Sequence, residues 1–281
     1  MMMSGIIQWG KHSLDLSQRT YIMGILNITP DSFSDGGRYN QMENAIERTR
    51  EMIENGADII DVGGESTRPG YEPVSADEEL SRVLPVIEAL TSRFDVPVSI
   101  DTYKAETAKQ AVAAGAGMIN DIWGAKADPD MAAAAAACDV PIILMHNRHN
   151  MEYTDLLEDM KKDIFESVNI CKKAGVKEEY IILDPGIGFA KTYAQNLEVM
   201  RRMREFTELG YPVLLGSSRK SLIAKTLELP SAERVEGTAA TVSLGIERGC
   251  SIVRVHDVLE MKRTALMMDA MLRKERMSEH G

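Results

Sequence analysis

The stretch running from Val98-Ser99-Ile100-Asp101 to Met118-Ile119-Asn120-Asp121 holds the pattern that decides the fold. At each end a short apolar run closes on a polar side chain. Between them lies a longer segment that ends at Gly115, a natural helix C-cap. Strand, helix, strand is the reading, and a continuous apolar run with little alternation is what a parallel strand covered on both faces requires.

Working outward, the same run recurs at Tyr21–Asn27, Ile59–Val62, Pro141–Met145, Ile181–Asp184, Val213–Gly216 and Ile252–Val255, eight in all. The intervening segments carry helical stripes. Leu80, Val83, Leu84, Ile87 and Leu90 share one face, as do Leu157, Met160, Ile164, Val168 and Cys171. The alanine run Ala132–Ala137 suits a helix packed close to a strand. Gly56, Gly210 and Gly249 repeat the glycine stop before the next strand.

Eight strands alternating with eight helices predict a single-domain (β/α)8 TIM barrel over residues 21–273. Residues 1–20 are expected to form a hairpin closing the barrel bottom, with Gly10-Lys11 between the extended runs of Gln8 to Leu16. Residues 274–281 are expected to fray. The rival is a doubly wound open sheet. It would carry a glycine-rich nucleotide turn after its first strand, where this chain has Asn27-Ile28-Thr29-Pro30-Asp31.

Composition narrows the function. The 281 residues are 44% hydrophobic, enough for a sizeable core, and their 43 acidic and 32 basic residues give a net charge of -11. So acidic a chain is a poor partner for a nucleic acid, and an anionic ligand needs a local basic site. The absence of a long apolar run argues against a membrane span, and the N-terminus lacks the basic region of a secretory signal. Cys138, Cys171 and Cys250 are odd in number and lie in no CxxC, so reduced thiols and a cytoplasmic setting are expected.

Barrel chemistry gathers where strands end. Asn27, Asp101, Asn120, Asp121 and Asp184 fall there, with Lys220 shortly after the seventh strand and Arg254 and His256 at the eighth. Any one polar strand end has a structural explanation. Together, carboxylates, an amide and an ammonium entering one pocket can pair with the edge of a flat heterocycle. Two glycine-rich connections, Thr29–Arg38 and Gly63–Gly70, exceed the usual loop length and are expected to act as lids, with Phe33 at one tip. Arg219, Lys220, Arg254 and His256 form a basic cluster suited to an anion, the alternative being charge pairing within the rim.

These residues also carry a resemblance. Gly24-Ile25-Leu26-Asn27-Ile28-Thr29-Pro30-Asp31-Ser32-Phe33-Ser34-Asp35-Gly36-Gly37 and Asp61-Val62-Gly63-Gly64-Glu65-Ser66-Thr67-Arg68-Pro69-Gly70 resemble the two signatures of the dihydropteroate synthases. Ser99–Thr102, Ile119–Asp121, Asp184–Phe189, Ser218–Ser221 and Arg254–Asp257 are similar to that family's pattern too, so the likeness runs from about Tyr21 to Met271. It implies a (β/α)8 barrel that joins 6-hydroxymethyl-7,8-dihydropterin diphosphate to 4-aminobenzoate. The products are 7,8-dihydropteroate and diphosphate, on the route to folate. Mg2+ serves the diphosphate, and sulfonamides mimic the 4-aminobenzoate.

Carried over residue by residue, the resemblance places the pterin on Asp101, Asn120, Ile122, Met145, Asp184, Phe189, Gly216 and Lys220. Asn27, Arg254 and His256 hold the diphosphate, with Asn27 on the metal side. Phe33, Thr67, Arg68, Pro69 and Ser221 line or close the 4-aminobenzoate site. Asp35, Lys220 and Asp184 are the expected catalytic residues, Asp35 as a stabiliser of the cationic pterin methylene that forms if diphosphate departs ahead of amine attack. The family also implies a homodimer. Two other functions compete: a pterin-binding methyl-transfer module of a cobalamin-dependent system, and a pterin-binding protein without catalysis. The lid Asp31–Gly37 counts against the first, and a diphosphate clamp counts against the second.

Overall fold

The computed structural model describes residues 5–28, 38–66 and 73–272. A two-stranded antiparallel hairpin comes first, β1 (Ile6–Trp9) and β2 (His12–Asp15). Eight parallel strands follow: β3 (Tyr21–Asn27), β4 (Ile59–Gly63), β5 (Val98–Asp101), β6 (Met118–Asp121), β7 (Ile142–Met145), β8 (Ile181–Asp184), β9 (Leu214–Leu215) and β10 (Ile252–Val255). They pair in chain order from β3 to β8, and β10 pairs with both β9 and β3. A parallel bridge between Leu183 and Val213 joins β8 to β9 and completes the cylinder.

Every residue of β4, β6, β7 and β8 is buried, as strands covered by helices outside and side-chain layers inside must be. Burying one such Ile, Leu or Val side chain contributes about 1.5–3 kcal/mol, and this layer is the centre of the core.

The helices are α1 (Arg38–Glu54), α2 (Ala76–Arg93), α3 (Ala105–Ala113), α4 (Met131–Cys138), α5 (Leu156–Ala174), α6 (Tyr193–Arg201), α7 (Met203–Thr207), α8 (Ser221–Leu227), α9 (Val235–Glu247) and α10 (Val258–Leu272). Eight connections were expected to hold one helix each. The connections before and after β9 are instead each split into two, which lets the chain deliver Lys220 and Ser221 at the head of a separate short helix.

The α2 stripe buries Leu80, Val83, Ile87 and Leu90, and Val86 joins them where Leu84 is only half-buried. Ser75 caps α2 by accepting from the Glu78 N–H. All five stripe residues of α5 are buried. The four glycine stops, at 56, 115, 210 and 249, all adopt positive φ.

The hairpin lies across the N-terminal ends of the strands. Tyr180, which leads into β8, donates its hydroxyl to the Gln8 carbonyl at 3.1 Å, and Lys11 pairs with Asp95 ahead of β5. The Trp9 indole occupies the space beside Gly117, just before β6. Asp269 accepts from the Thr20 N–H and hydroxyl, tying α10 to the entry of β3. No helix among the described residues is long and apolar enough to cross a membrane. Residues 273–281, which include the expected frayed tail, lie outside the description.

Candidate active site

Register brings the polar strand ends to one level. Asn27 faces Gly63, Gly63 faces Asp101, and Asp101 faces Asn120 across four neighbouring strands. Gly63 contributes no side chain to that layer. The point where its Cβ would stand is 3.6 Å from Asp101 Oδ2 and 3.7 Å from Asn27 Oδ1, so the two oxygens share a cradle that a side chain would fill. One layer lower, the fully buried Asp61 of β4 accepts at Oδ2 from Asn120 Nδ2 at 3.0 Å and from Arg254 Nε at 2.5 Å. Arg254 also donates to Asp101 Oδ2 at 2.6 Å.

The opposite wall comes from β8 and the turn after β9. Asp184 is buried and accepts the Gly186 N–H at 2.7 Å. Lys220 donates to the Ile187 carbonyl at 2.5 Å and sits 4.6 Å above the Phe189 ring. Gly216 keeps the space between them open, its Cβ position lying 3.6 Å from Asp184 Oδ2 and 3.7 Å from Lys220 Nζ. Met145 is buried beneath this wall, and Ile122 and Phe189 are half-buried at its mouth.

Burial shifts the titrating groups. Asp101 is pushed up to about 7 by desolvation and by the Asp61 carboxylate, against the pull of Arg254. Burial raises Asp184 as well, with Lys220 and the Gly186 N–H opposing. Burial brings Lys220 down to about 8, partly offset by Asp184. Desolvation would lower Arg254, and Asp61 and Asp101 more than reverse this.

The expected basic cluster divides. Arg219 is bidentate to Asp257, and Arg254 is held by two carboxylates, so charge pairing accounts for both. Arg254 still has three of its five N–H donors beyond the two used in these bonds. His256 is tied to Ser218, through Nδ1 at 3.0 Å and through its backbone N–H at 3.2 Å. Asp121 accepts from the Trp123 and Ala125 N–H groups and shapes the turn after β6. Ser221 is exposed at the first position of α8. Phe33, Asp35, Thr67, Arg68 and Pro69 lie outside the described residues. Gly64 opens a connection expected to act as a lid, yet a Cβ there would stand 2.7 Å from Val83, so close packing explains that glycine.

Two features were not expected from the sequence. Asp61 is one, although an acid inside the run Ile59-Ile60-Asp61-Val62 was a visible signal. The other is a buried set around His146 and Lys191, whose partners are far apart in the chain. A groove of about 1100 Å³ opens beside the rim, lined in part by Ile122, Asn147, Arg148, Tyr153 and Phe189.

A barrel that gathers carboxylates, an amide and cations around one slot defines a class, and the pattern of the pterin binding enzymes matches residues 23–256. Beyond that class, the chain is 60% identical over 266 residues to the dihydropteroate synthase of Clostridium beijerinckii, covering 94% of this chain and 99% of that one. The structure superposes with a TM-score of 0.91 on the dihydropteroate synthase of Clostridium difficile determined in the presence of pteroic acid. That match is 51% identical over 93% of this chain and all of the other. A dihydropteroate synthase of Xanthomonas albilineans determined with 4-aminobenzoic acid matches with a TM-score of 0.88 and 40% identity, over 92% and 95% of the two chains. The chain belongs to the dihydropteroate synthase family.

Proposed function

We propose that this barrel joins 6-hydroxymethyl-7,8-dihydropterin diphosphate to 4-aminobenzoate, releasing 7,8-dihydropteroate and diphosphate. The observation that carries the reading is the slot between Asp184 and Lys220, kept open by Gly216 and faced by Asn120 and Asp101. An ionised Asp184 accepts the N–H groups along one pterin edge, and Lys220 and Asn120 donate to its carbonyl and ring nitrogens. Phe189 and Ile122 flank the ring plane. Departure of diphosphate builds negative charge at one end, where the remaining N–H donors of Arg254 and the His256 imidazole meet it. Ser221 takes the 4-aminobenzoate side, and the loop residues Phe33, Asp35, Thr67, Arg68 and Pro69 keep the roles the family resemblance implies.

Mg2+ suits the donors available to it. The Asn27 amide oxygen is a hard ligand, and it shares the Gly63 cradle with Asp101. Asp101 Oδ1 is buried without a hydrogen-bond partner among the described residues. Those residues hold no cluster of three or more His, Cys, Asp or Glu side chains fit for a metal. Bound there with Asn27, the ion would neutralise charge on the leaving diphosphate. We further propose a homodimer, to which the exposed Leu266, Met267 and Met271 of α10 supply apolar surface. A cytoplasmic setting suits the three free thiols.

Asp184→Asn tests the pterin edge. It replaces an acceptor oxygen with a donor at a buried contact, a cost of about 1–3 kcal/mol. Calorimetry with 6-hydroxymethylpterin should show about tenfold or greater weakening. Unchanged affinity would remove Asp184 from the site.

A further inference from the structure

Behind the pterin wall lies a lysine to which the reaction assigns no role. Lys191 is 6% exposed, and its Nζ is surrounded by three acceptors: His146 Nδ1 at 3.0 Å, the Gly186 carbonyl at 3.1 Å and the Phe189 carbonyl at 3.1 Å. His146 is itself buried, and its Nε2 meets Asp163 Oδ2 at 3.0 Å. Asp163 is held ionised below the usual carboxylate range: burial opposes this, and the bonds from His146 and Arg148 outweigh it.

The hydrogens can be placed from these contacts. A carboxylate only accepts, so His146 Nε2 carries a proton. Burial lowers His146 to about 4, so the ring is neutral and Nδ1 is an acceptor. Three acceptors therefore converge on Lys191, and only an ammonium has three N–H donors to satisfy them. Burial works against that charge, lowering Lys191 to about 7, with Asp184 opposing.

What Lys191 grips is the segment from Gly186 to Phe189. The same few residues supply the Ile187 carbonyl that fixes Lys220, the Gly186 N–H that orients Asp184, and the Phe189 ring under Lys220. The grip is close. Gly186 has a φ of +67°, and a Cβ there would stand 2.0 Å from the His146 carbonyl oxygen.

We propose that Lys191, seated on His146, is a positioning residue that sets the pterin-binding geometry of Asp184, Phe189 and Lys220 by clamping both ends of the turn between them. The inference rests on the pterin reading of the site and adds a residue to it. Lys191 touches no substrate, so its loss acts through the turn.

Two measurements separate the clamp from the reading it rests on. Backbone amide exchange needs no ligand: Lys191→Met should speed exchange at Gly188 and Phe189 at least tenfold, with β4 and β5 amides unchanged. Calorimetry of the same variant should show 6-hydroxymethylpterin weakened at least tenfold and inorganic diphosphate changed less than twofold. Should Lys191→Met not fold, His146 decides. Asn in its place keeps an acceptor near the Nδ1 position and should retain pterin affinity within threefold, whereas Leu removes the acceptor and should not. Unchanged exchange at the turn would overturn the clamp, as would equal loss of both ligands or equal effects of Asn and Leu. Failure of the wild-type protein to bind pterin would overturn the functional reading, and with it the positioning role, while the exchange result would still report whether Lys191 holds the turn.

Discussion

Arg254 Nη2 donates to Asp101 Oδ2 at 2.6 Å, inside the barrel mouth and with its Nε already on Asp61. Removing one partner of a buried pair leaves uncompensated charge, at a cost of about 3–5 kcal/mol. Arg254→Met leaves two carboxylates facing each other, so the loss should depend on pH. Asp101 is raised in the fold. Its contribution to stability is therefore present below its ordinary value of 3.8 and is lost as pH rises through about 7. Taking away the guanidinium raises it further. Urea unfolding should show the variant destabilised more at pH 8 than at pH 5.5, and a pH-independent loss would contradict the pairing.

The anion clamp predicts selectivity between ligands. A hydrogen bond to a charged group is worth about 1.5–3 kcal/mol, roughly tenfold or more in affinity. His256→Ala should weaken inorganic diphosphate by that factor and leave 6-hydroxymethylpterin within twofold. Calorimetry with both ligands checks it. Equal losses would make His256 a support for Ser218.

Asp101 near 7 and Lys220 near 8 predict a narrow pH optimum. An ionised Asp101 is lost as pH falls, and a charged Lys220 is lost as pH rises. kcat/KM for the pterin substrate should peak between these values as a bell with two macroscopic limbs. Asp101→Asn should flatten the acid limb, and an unaltered profile would exclude Asp101 as its source.

Gly186 tests the turn itself. Ala at this site combines a left-handed backbone with a Cβ 2.0 Å from the His146 carbonyl oxygen. Strain at such a φ costs about 1–3 kcal/mol and overpacking a similar amount. Gly186→Ala should lower stability by at least about 2 kcal/mol and abolish pterin binding. Thermal unfolding and calorimetry read both, and a variant that binds normally would show that the turn has room.

The barrel and much of its rim could be read from the chain because both depend on local pattern. An apolar run closed by Asp101 or Asp184 marks a strand and its functional end together. Pairing across the barrel has no such local mark. Nothing near Arg254 in sequence indicates that Asp61, 193 positions away, is its partner, and nothing near Arg219 marks Asp257, 38 positions on, as its partner. His146 follows directly on the Pro141–Met145 run, but its meaning lies in Lys191, 45 residues on. Asp61 does carry a local mark: an acid in the middle of a buried strand requires a partner.

One slot binds dihydropterin diphosphate and makes dihydropteroate from it. The direct measurement incubates the folded protein with 6-hydroxymethyl-7,8-dihydropterin diphosphate and 4-aminobenzoate, with and without Mg2+, and quantifies dihydropteroate and diphosphate by chromatography. The two products should appear in equal amounts, dependent on Mg2+ and lost in Lys220→Ala. Absence of dihydropteroate from folded wild-type protein at saturating concentrations of both substrates and Mg2+ would rule out this reaction.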